Sequence, residues 1–380
     1  MVLIVVSIHL VLGWFLANGL RKTALRIQPP SQGDGFAVRA VSGNEIILEA
    51  DSPRQEIGHP GVVGLIWAEG YGQTGDVTQV EDNRVRRGFR LLEGELPPSC
   101  PDLPVAECPQ VFPDGYAFPH GPGDVDLAFE EVTYSSPLGE MGAWMVQPKS
   151  EWWAIHVHGW TASRREAVRL LPAINKVGMT SMVIDYRNDP GAPADPSGHY
   201  RFGLHEWEDV EAAVAYAIES GANHIVCVGY STGAAHILSF LEQSRLGDRV
   251  DGLVLDSPNV ILAETVRHGS RETRFPGLGF RVNPLLIELG MWIADLRWSI
   301  DWDRTNYVQR AESILRVPVL VFHGTSDARV PISVSRQLEA RVPALVELQE
   351  TPAAGHVMSW NAEPERYERL LERFLSGLQN

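Results

Sequence analysis

A serine, a histidine and an aspartate, each placed just after an apolar run, are the residues of this sequence that could together do chemistry. Residues 229–233 read Gly-Tyr-Ser-Thr-Gly, after an apolar run and before a stretch typical of a helix. A tight turn of small residues between a strand and a helix exposes the serine hydroxyl above a sheet. The pattern predicts Ser231 as a nucleophile, which needs a base and an acid partner because a serine alone reacts poorly.

Asp327 and His356 are the candidates for those partners, and each follows an apolar run that predicts a strand. We expect His356 to remove the proton of Ser231 during attack on a carbonyl, and Asp327 to orient the imidazole. Asp256 ends another predicted strand and is a rival for the acid. Its alternative interpretation is a loop carboxylate that caps backbone amides.

An oxyanion formed by such an attack needs two backbone N–H donors. Thr232, which follows the nucleophile, is predicted to supply one of them. The other is expected from the loop at residues 156–161, with Trp160 as the first choice and Thr161 as the second. Trp160 and Tyr230 are the predicted substrate contacts.

Two histidines on one predicted strand, His156 and His158, have a spacing that metal ligands can also have, because they share a face. No third ligand lies at a telling distance in the sequence, so we predict no metal at this pair. Asp185 and Arg187 are interpreted as structural, either as an ion pair or as organisers of a loop beside the site.

Short apolar runs alternate with helical patterns after residue 125, which predicts a mostly parallel sheet flanked by helices. The stretch at about 257–310 interrupts this alternation and is interpreted as a helical cap. The chain resembles the α/β-hydrolases, closest to their peptidase-like and esterase-like members with a helical cap. The motifs that carry the resemblance are His158-Gly159, Asp185-Tyr186-Arg187, Gly229-Tyr230-Ser231-Thr232-Gly233, His323-Gly324 with Asp327, and Gly355-His356.

The resemblance covers residues 130–380 and implies an α/β-hydrolase fold, so residues 125–380 are predicted as the catalytic domain. It also implies hydrolysis of an ester, thioester or amide through an acyl-enzyme, without metal or cofactor, on a small-molecule or peptide acyl substrate. An acyltransferase is one alternative, because the motifs do not decide whether water accepts the acyl group. A non-catalytic binding protein of the same fold is another, although such proteins usually lack a member of the triad, and here all three are present.

The first twenty residues carry no charged side chain, which predicts a transmembrane helix and a single-pass anchor in a membrane. Basic residues follow at positions 21, 22 and 26, and the positive-inside rule then favours a cytoplasmic body. Two free thiols or a disulfide are both open for Cys100 and Cys108. A disulfide would instead favour an extracytoplasmic body.

Residues 21–35 are predicted as a linker, and residues 36–124 as a β-rich region that ends in a Pro- and Gly-rich loop. We expect activity to survive removal of this region if the remaining chain folds. The net charge of −16 argues against nucleic acid as a partner, because phosphate binding needs a basic face.

Overall fold

The computed structural model describes residues 2–28, 34–51, 58–147, 150–271 and 281–380. Part of the predicted linker, residues 29–33, and part of the predicted cap, residues 272–280, lie outside the described residues. The N-terminal helix, α1 (Val2–Leu20), is followed by a π-helical turn at Arg21–Leu25.

The N-terminal helix packs along another helix of the chain, Pro284–Trp298. The two approach closely, since a Cβ on Gly13 would come within 2.7 Å of Leu289 Cγ. Ala17, on the N-terminal helix, is fully buried at this contact. Across the described residues, no helix combines the length and apolar character needed to cross a membrane. The prediction of a transmembrane helix at residues 1–20, with the single-pass membrane localisation built on it, is therefore wrong.

A closed barrel of six strands occupies residues 36–114. Its strands are β1 (Phe36–Ser42), β2 (Glu45–Glu49), β3 (Val63–Trp67), β4 (Gly70–Glu81), β5 (Arg84–Gly94) and β6 (Gln110–Asp114). They follow one another around the barrel in the order β1, β2, β5, β4, β3, β6. Buried apolar side chains such as Val38, Ile46 and Leu65 fill the interior.

A disulfide between Cys100 and Cys108 closes the loop between β5 and β6. The loop is tied to the barrel by Arg39, whose buried guanidinium donates to the carbonyl oxygens of Cys100 and Leu103, both at 2.6 Å. The same guanidinium donates to Glu49 Oε2 at 2.9 Å, so the buried cation has a carboxylate partner.

Reduction of this disulfide is expected to lower the free energy of unfolding of the barrel by about 2–3 kcal/mol. A crosslink across a sequence separation of 8 removes conformational freedom from the unfolded chain. Hydrogen exchange of the barrel amides, with and without a reductant, measures the difference. The Cys100→Ser/Cys108→Ser variant is the control, because its exchange should not respond to reductant. Equal exchange in the oxidised and reduced parent protein would contradict the expectation.

A sheet of eight strands forms the centre of the rest of the chain. Its strands are β7 (Phe129–Ser136), β8 (Gly139–Val146), β9 (Trp152–Val157), β10 (Thr180–Ile184), β11 (His224–Tyr230), β12 (Val250–Asp256), β13 (Val319–Gly324) and β14 (Val346–Thr351). The spatial order is β14, β13, β12, β11, β9, β10, β8, β7. The six strands from β14 to β10 are parallel, whereas β8 and β7 form an antiparallel hairpin at one edge. The predicted mostly parallel sheet is confirmed.

Helices cover both faces of this sheet. The helices after the barrel, of which α5 and α6 lie away from the sheet, are α2 (Leu171–Lys176), α3 (Trp207–Glu219), α4 (Thr232–Gln243), α5 (Leu262–Ser270), α6 (Pro284–Trp298), α7 (Ala311–Ile314), α8 (Ser333–Arg341), α9 (Ser359–Ala362) and α10 (Pro364–Leu378). Helices α3, α4 and α8 bury apolar side chains on one face, and α2 and α10 on the other. The buried residues of α10, Tyr367, Leu371 and Leu375, recur every four positions, as expected for one face of a helix.

The chain between β12 and β13 leaves the sheet and forms a layer that contains α5 and α6. Its buried core includes Leu262, Ile293 and Ile300. Ala17 of α1 belongs to the same cluster, and so does Phe202 from the loop after β10. The N-terminal helix is therefore part of the layer above the carboxyl ends of the strands, where a parallel sheet binds its ligands.

Candidate active site

Ser231 stands at the turn between β11 and α4, and its backbone has φ 50° and ψ −115°. A positive φ is uncommon for a residue other than glycine. The turn leaves no room for side chains on either side. A Cβ on Gly233 would lie 2.0 Å from the carbonyl oxygen of Val157, and one on Gly229 would lie 2.8 Å from the backbone nitrogen of Ala234. The two glycines are therefore required by the close approach of neighbouring backbone.

The imidazole of His356 lies between the serine and an aspartate. His356 Nε2 is 2.8 Å from Ser231 Oγ, and His356 Nδ1 is 2.7 Å from Asp327 Oδ2. Both distances are those of good hydrogen bonds. The structure thus brings together three predicted residues that are far apart in the chain, each just beyond the carboxyl end of a strand.

The carboxylate of Asp327 is buried and surrounded by donors. Its Oδ1 accepts the backbone N–H groups of Arg329 and Val330, both at 2.9 Å, and its Oδ2 lies 3.2 Å from His323 Nε2. Burial by itself would raise the pKa of Asp327, but the hydrogen bonds from His323 and His356 outweigh it and hold this pKa below its ordinary value. The aspartate is therefore ionised at neutral pH.

His323 is a contact of Asp327 that the sequence did not predict. It is the next-to-last residue of β13, four residues before Asp327, and its Nδ1 lies 2.7 Å from Ser335 Oγ. The signal that could have found it is the His-Gly pair at the end of a buried strand. A buried imidazole at that place needs a hydrogen-bond partner, and Asp327 in the following loop is close in sequence.

The rival acid, Asp256, lies at the end of β12 and is also buried. The hydrogen-bond partner that the structure gives its carboxylate is Ser257 Oγ at 3.3 Å. Burial raises the pKa of Asp256 to about 6. Its backbone carbonyl accepts the N–H of Ser231 at 2.9 Å, so it supports the turn of the nucleophile. The geometry favours Asp327 as the partner of His356.

The loop after β9 passes directly against Ser231, since a Cβ on Gly159 would lie 3.0 Å from Ser231 Cβ. The N–H of Gly159 donates to the buried carboxylate of Glu166 at 2.8 Å. Its carbonyl accepts the Tyr186 hydroxyl at 3.0 Å and the N–H of Ala162 at 3.2 Å. The backbone N–H and C=O of Gly159 are therefore both hydrogen-bonded to other groups of the protein.

These bonds orient the next N–H group, that of Trp160. A trans peptide holds its N–H opposite its C=O, so fixing the carbonyl of Gly159 fixes the direction of the Trp160 N–H. Within the described chain, no hydrogen bond engages the backbone N–H of Trp160 or that of Thr232. The role of these two groups as oxyanion donors stays a prediction.

Tyr230 is the other predicted substrate contact, and this prediction is wrong. Its side chain is fully buried, and its hydroxyl lies 3.1 Å from Nδ1 of the buried His156. Burial lowers the pKa of His156 to about 3, which keeps this ring neutral. The side chain of Trp160 packs with the cap cluster, with its ring centroid 6.2 Å from that of Tyr200. A substrate contact by Trp160 stays a prediction.

His158 is fully buried and has an acceptor at each ring nitrogen. Nε2 lies 2.9 Å from Asp189 Oδ2, and Nδ1 lies 3.0 Å from the carbonyl oxygen of Gly159. Burial alone would lower the pKa of His158, but the charge and hydrogen bond of Asp189 and the Gly159 carbonyl raise it to about 9. His158, Asp185 and Asp189 lie close enough to hold an ion, but both ring nitrogens of His158 are already engaged, by Asp189 and by the carbonyl of Gly159.

Asp185 and Arg187 have separate partners. Asp185 Oδ1 lies 3.1 Å from Arg164 Nε, whereas Arg187 donates to Asp209 Oδ2 at 2.7 Å and to Asp195 Oδ2 at 3.3 Å. Arg187 is buried and joins the loop after β10 to α3, so it organises that loop rather than pairing with Asp185.

The comparisons with known proteins agree with this fold. A family model described as "Alpha/beta hydrolase family" matches residues 154–370. Among solved structures, two crystal forms of the esterase Pf2001 from Pyrococcus furiosus are similar. One has a TM-score of 0.53 and 21% identity and covers 68% of this chain and 95% of the esterase. The other has a TM-score of 0.52 and 20% identity, with 68% and 93% covered. Curated proteins give no match. The fold that the sequence motifs implied is confirmed.

Proposed function

Because the chain belongs to the alpha/beta hydrolase family, we propose that it is a serine hydrolase that cleaves an ester, thioester or amide through an acyl-enzyme. One observation carries the proposal. His356 joins Ser231 Oγ at 2.8 Å and Asp327 Oδ2 at 2.7 Å, so a single imidazole links the alcohol to the carboxylate. Such a link is what makes a serine hydroxyl a nucleophile at neutral pH.

In the first half of the reaction, Ser231 Oγ attacks the carbonyl carbon of the substrate while His356 Nε2 takes the hydroxyl proton. The C=O electron pair moves onto oxygen, and the N–H groups of Trp160 and Thr232 stabilise the resulting oxyanion. When the oxyanion collapses, the bond to the leaving group breaks. The leaving group takes the proton from His356, and the acyl group remains on Ser231 as an ester.

In the second half, water replaces the leaving group. His356 removes one proton from water, the hydroxide oxygen bonds to the acyl carbon, and Ser231 leaves with the proton that His356 returns. Asp327 stays ionised throughout and stabilises the imidazolium that forms in each half. The lowered pKa of Asp327 supports this role, because a protonated acid would not stabilise a positive ring.

Labelling with a fluorophosphonate tests the nucleophile. We expect covalent modification of Ser231 in the folded parent protein, found by mass spectrometry of the labelled peptide, and no modification of the Ser231→Ala variant. Ser313→Ala changes an exposed serine on α7 and is the matched control. It should label like the parent. A folded parent protein that does not label would favour a binding protein of this fold.

A panel of p-nitrophenyl esters and aminoacyl nitroanilides tests the substrate class. Pf2001 is an esterase by name, so we expect the esters to be cleaved faster than the anilides. Turnover that rises strongly on addition of an alcohol or amine acceptor would instead point to acyl transfer.

A further inference from the structure

The barrel contacts the segment that carries the catalytic histidine. Asn361, five residues after His356, is fully buried on α9. Its side-chain amide donates to the carbonyl oxygens of Val62 at 2.7 Å and Gly115 at 2.9 Å, which lie before β3 and just after β6. Its backbone carbonyl accepts the N–H of Val62 at 2.8 Å. Three hydrogen bonds therefore join one residue of the histidine segment to the barrel.

The fit at this contact is close. Gly61 has φ 77°, and a Cβ there would lie 1.8 Å from the carbonyl oxygen of Asn361. A Cβ on Gly355, the residue before His356, would lie 3.3 Å from Cε1 of His59. Both ends of the histidine segment thus lie against the segment that leads into β3.

The same end of the barrel contacts the 3₁₀ helix that holds the loop after β9, which carries the predicted oxyanion donor Trp160. Arg165 pairs with Asp114 and donates to the carbonyl oxygen of Phe118. Arg169 donates to the carbonyl oxygen of Gly115 at 2.9 Å. Both arginines lie on the 3₁₀ helix Arg164–Leu170. This helix also carries Glu166, the acceptor of the Gly159 N–H.

Asn361 also joins the segment that carries His356 to the helix Arg164–Leu170, because its Oδ1 accepts a hydrogen bond from Nη1 of Arg169. Three parts of the protein therefore meet at the buried side-chain amide of Asn361: the barrel, the helix Arg164–Leu170 and the segment that carries His356. An asparagine suits this place because its amide donates twice and accepts once. Aspartate would turn an oxygen towards at least one backbone carbonyl, and leucine would leave buried polar groups unpaired.

We propose that the barrel is a positioning part of the active site, and that Asn361 is the positioning residue through which it fixes His356 relative to Ser231 and the oxyanion loop. The proposal rests on the proposed function and deepens it. It replaces the expectation that activity survives removal of residues 36–124, because without Val62 and Gly115 the amide of Asn361 loses both of its acceptors.

The test compares Asn361→Leu and Asn361→Asp with Asn223→Leu. The last is the same change at an exposed turn before β11, at the end of the strand away from Ser231. We expect kcat of the Asn361 variants to fall about 10²-fold, because a displacement of about 1 Å in a catalytic group has that effect. KM should stay within about threefold if substrate binding is untouched, and Asn223→Leu should match the parent.

Two further measurements separate positioning from loss of folded protein. Turnover is expressed per site titrated with fluorophosphonate, so that misfolded chains do not count. The pH profile of kcat/KM reports on the ring of His356, and we expect it to shift in Asn361→Asp and Asn361→Leu but not in Asn223→Leu. A lower titrated fraction with normal turnover per site and an unshifted profile would overturn the proposal and show a purely structural role.

A variant on the barrel side tests the same contact from the other partner. Gly61→Ala places a methyl group 1.8 Å from the carbonyl oxygen of Asn361, and we expect it to lower kcat as the Asn361 variants do. Val80→Ala, at an exposed position on β4, is its control. If the parent labels at Ser231 while all of these variants keep parental kcat, the positioning role fails and the hydrolase proposal stands. If the parent does not label, the hydrolase proposal itself fails.

Discussion

His356→Ala is expected to lower kcat for a p-nitrophenyl ester by about 10⁴-fold or more. The imidazole is the group within hydrogen-bond distance of Ser231 Oγ, and without it the proton of the serine has no acceptor during attack. KM should change little, because the ring contacts the reacting atoms and not the body of the substrate. The residual rate should still exceed that in water, since the proposed oxyanion donors, the N–H groups of Trp160 and Thr232, are backbone groups that the substitution leaves in place.

The control for this variant is His120→Ala, which removes an exposed histidine that pairs with Glu93 of the barrel. It should keep the parental rate. Ser231→Ala should fall as far as His356→Ala, and the double variant should fall no further, because the two groups act as a unit. A His356→Ala protein within about tenfold of the parent would refute the assignment of the base.

Asp327→Asn is expected to lower kcat by about 10⁴-fold, the size of this effect in the serine protease template. The backbone fixes which way the new amide points. Oδ1 accepts the N–H groups of Arg329 and Val330, so the amide oxygen must occupy that position. The NH₂ group then faces Nδ1 of His356. A donor there places the ring proton on Nε2, where the imidazole cannot accept the proton of Ser231.

Asp256→Asn is the matched comparison, because it makes the same change at the rival acid. The Asp256 carboxylate contacts Ser257 Oγ, whereas His356 Nδ1 contacts Asp327, so Asp256→Asn leaves the hydrogen bonds of the imidazole in place. We expect kcat within about tenfold of the parent. The reverse order, with Asp256→Asn the more damaging of the two, would move the role of the acid to Asp256.

The sequence predicts that Ser231, Asp327 and His356 meet because each follows a strand of a parallel sheet. Carboxyl ends of neighbouring parallel strands meet at one edge, so residues placed just beyond them converge even when far apart in the chain. The tight turn at Ser231 is predicted equally well, because its small residues are a local requirement. Tyr230 was misplaced because the motif specifies the residue and not the direction of its side chain, which goes into the core.

The errors at the N-terminus have a different cause. Hydropathy reports that a run such as residues 1–20 avoids water, but not which surface covers it. Here α6 covers part of α1, and the sequence gives no sign of that pairing beyond the small residues Gly13 and Gly290 at the contact. The bond from Asn361 to Val62 joins residues 299 positions apart. Such contacts depend on the packing of two units and leave no local pattern.

The backbone conformation of Ser231 lowers the stability of the fold while it places the hydroxyl for the proposed reaction. A side chain held in a sparsely populated region of φ and ψ costs about 1–3 kcal/mol. Glycine would remove most of that cost and would also remove the reactive oxygen. Stability and the proposed reaction therefore make opposite demands on this position.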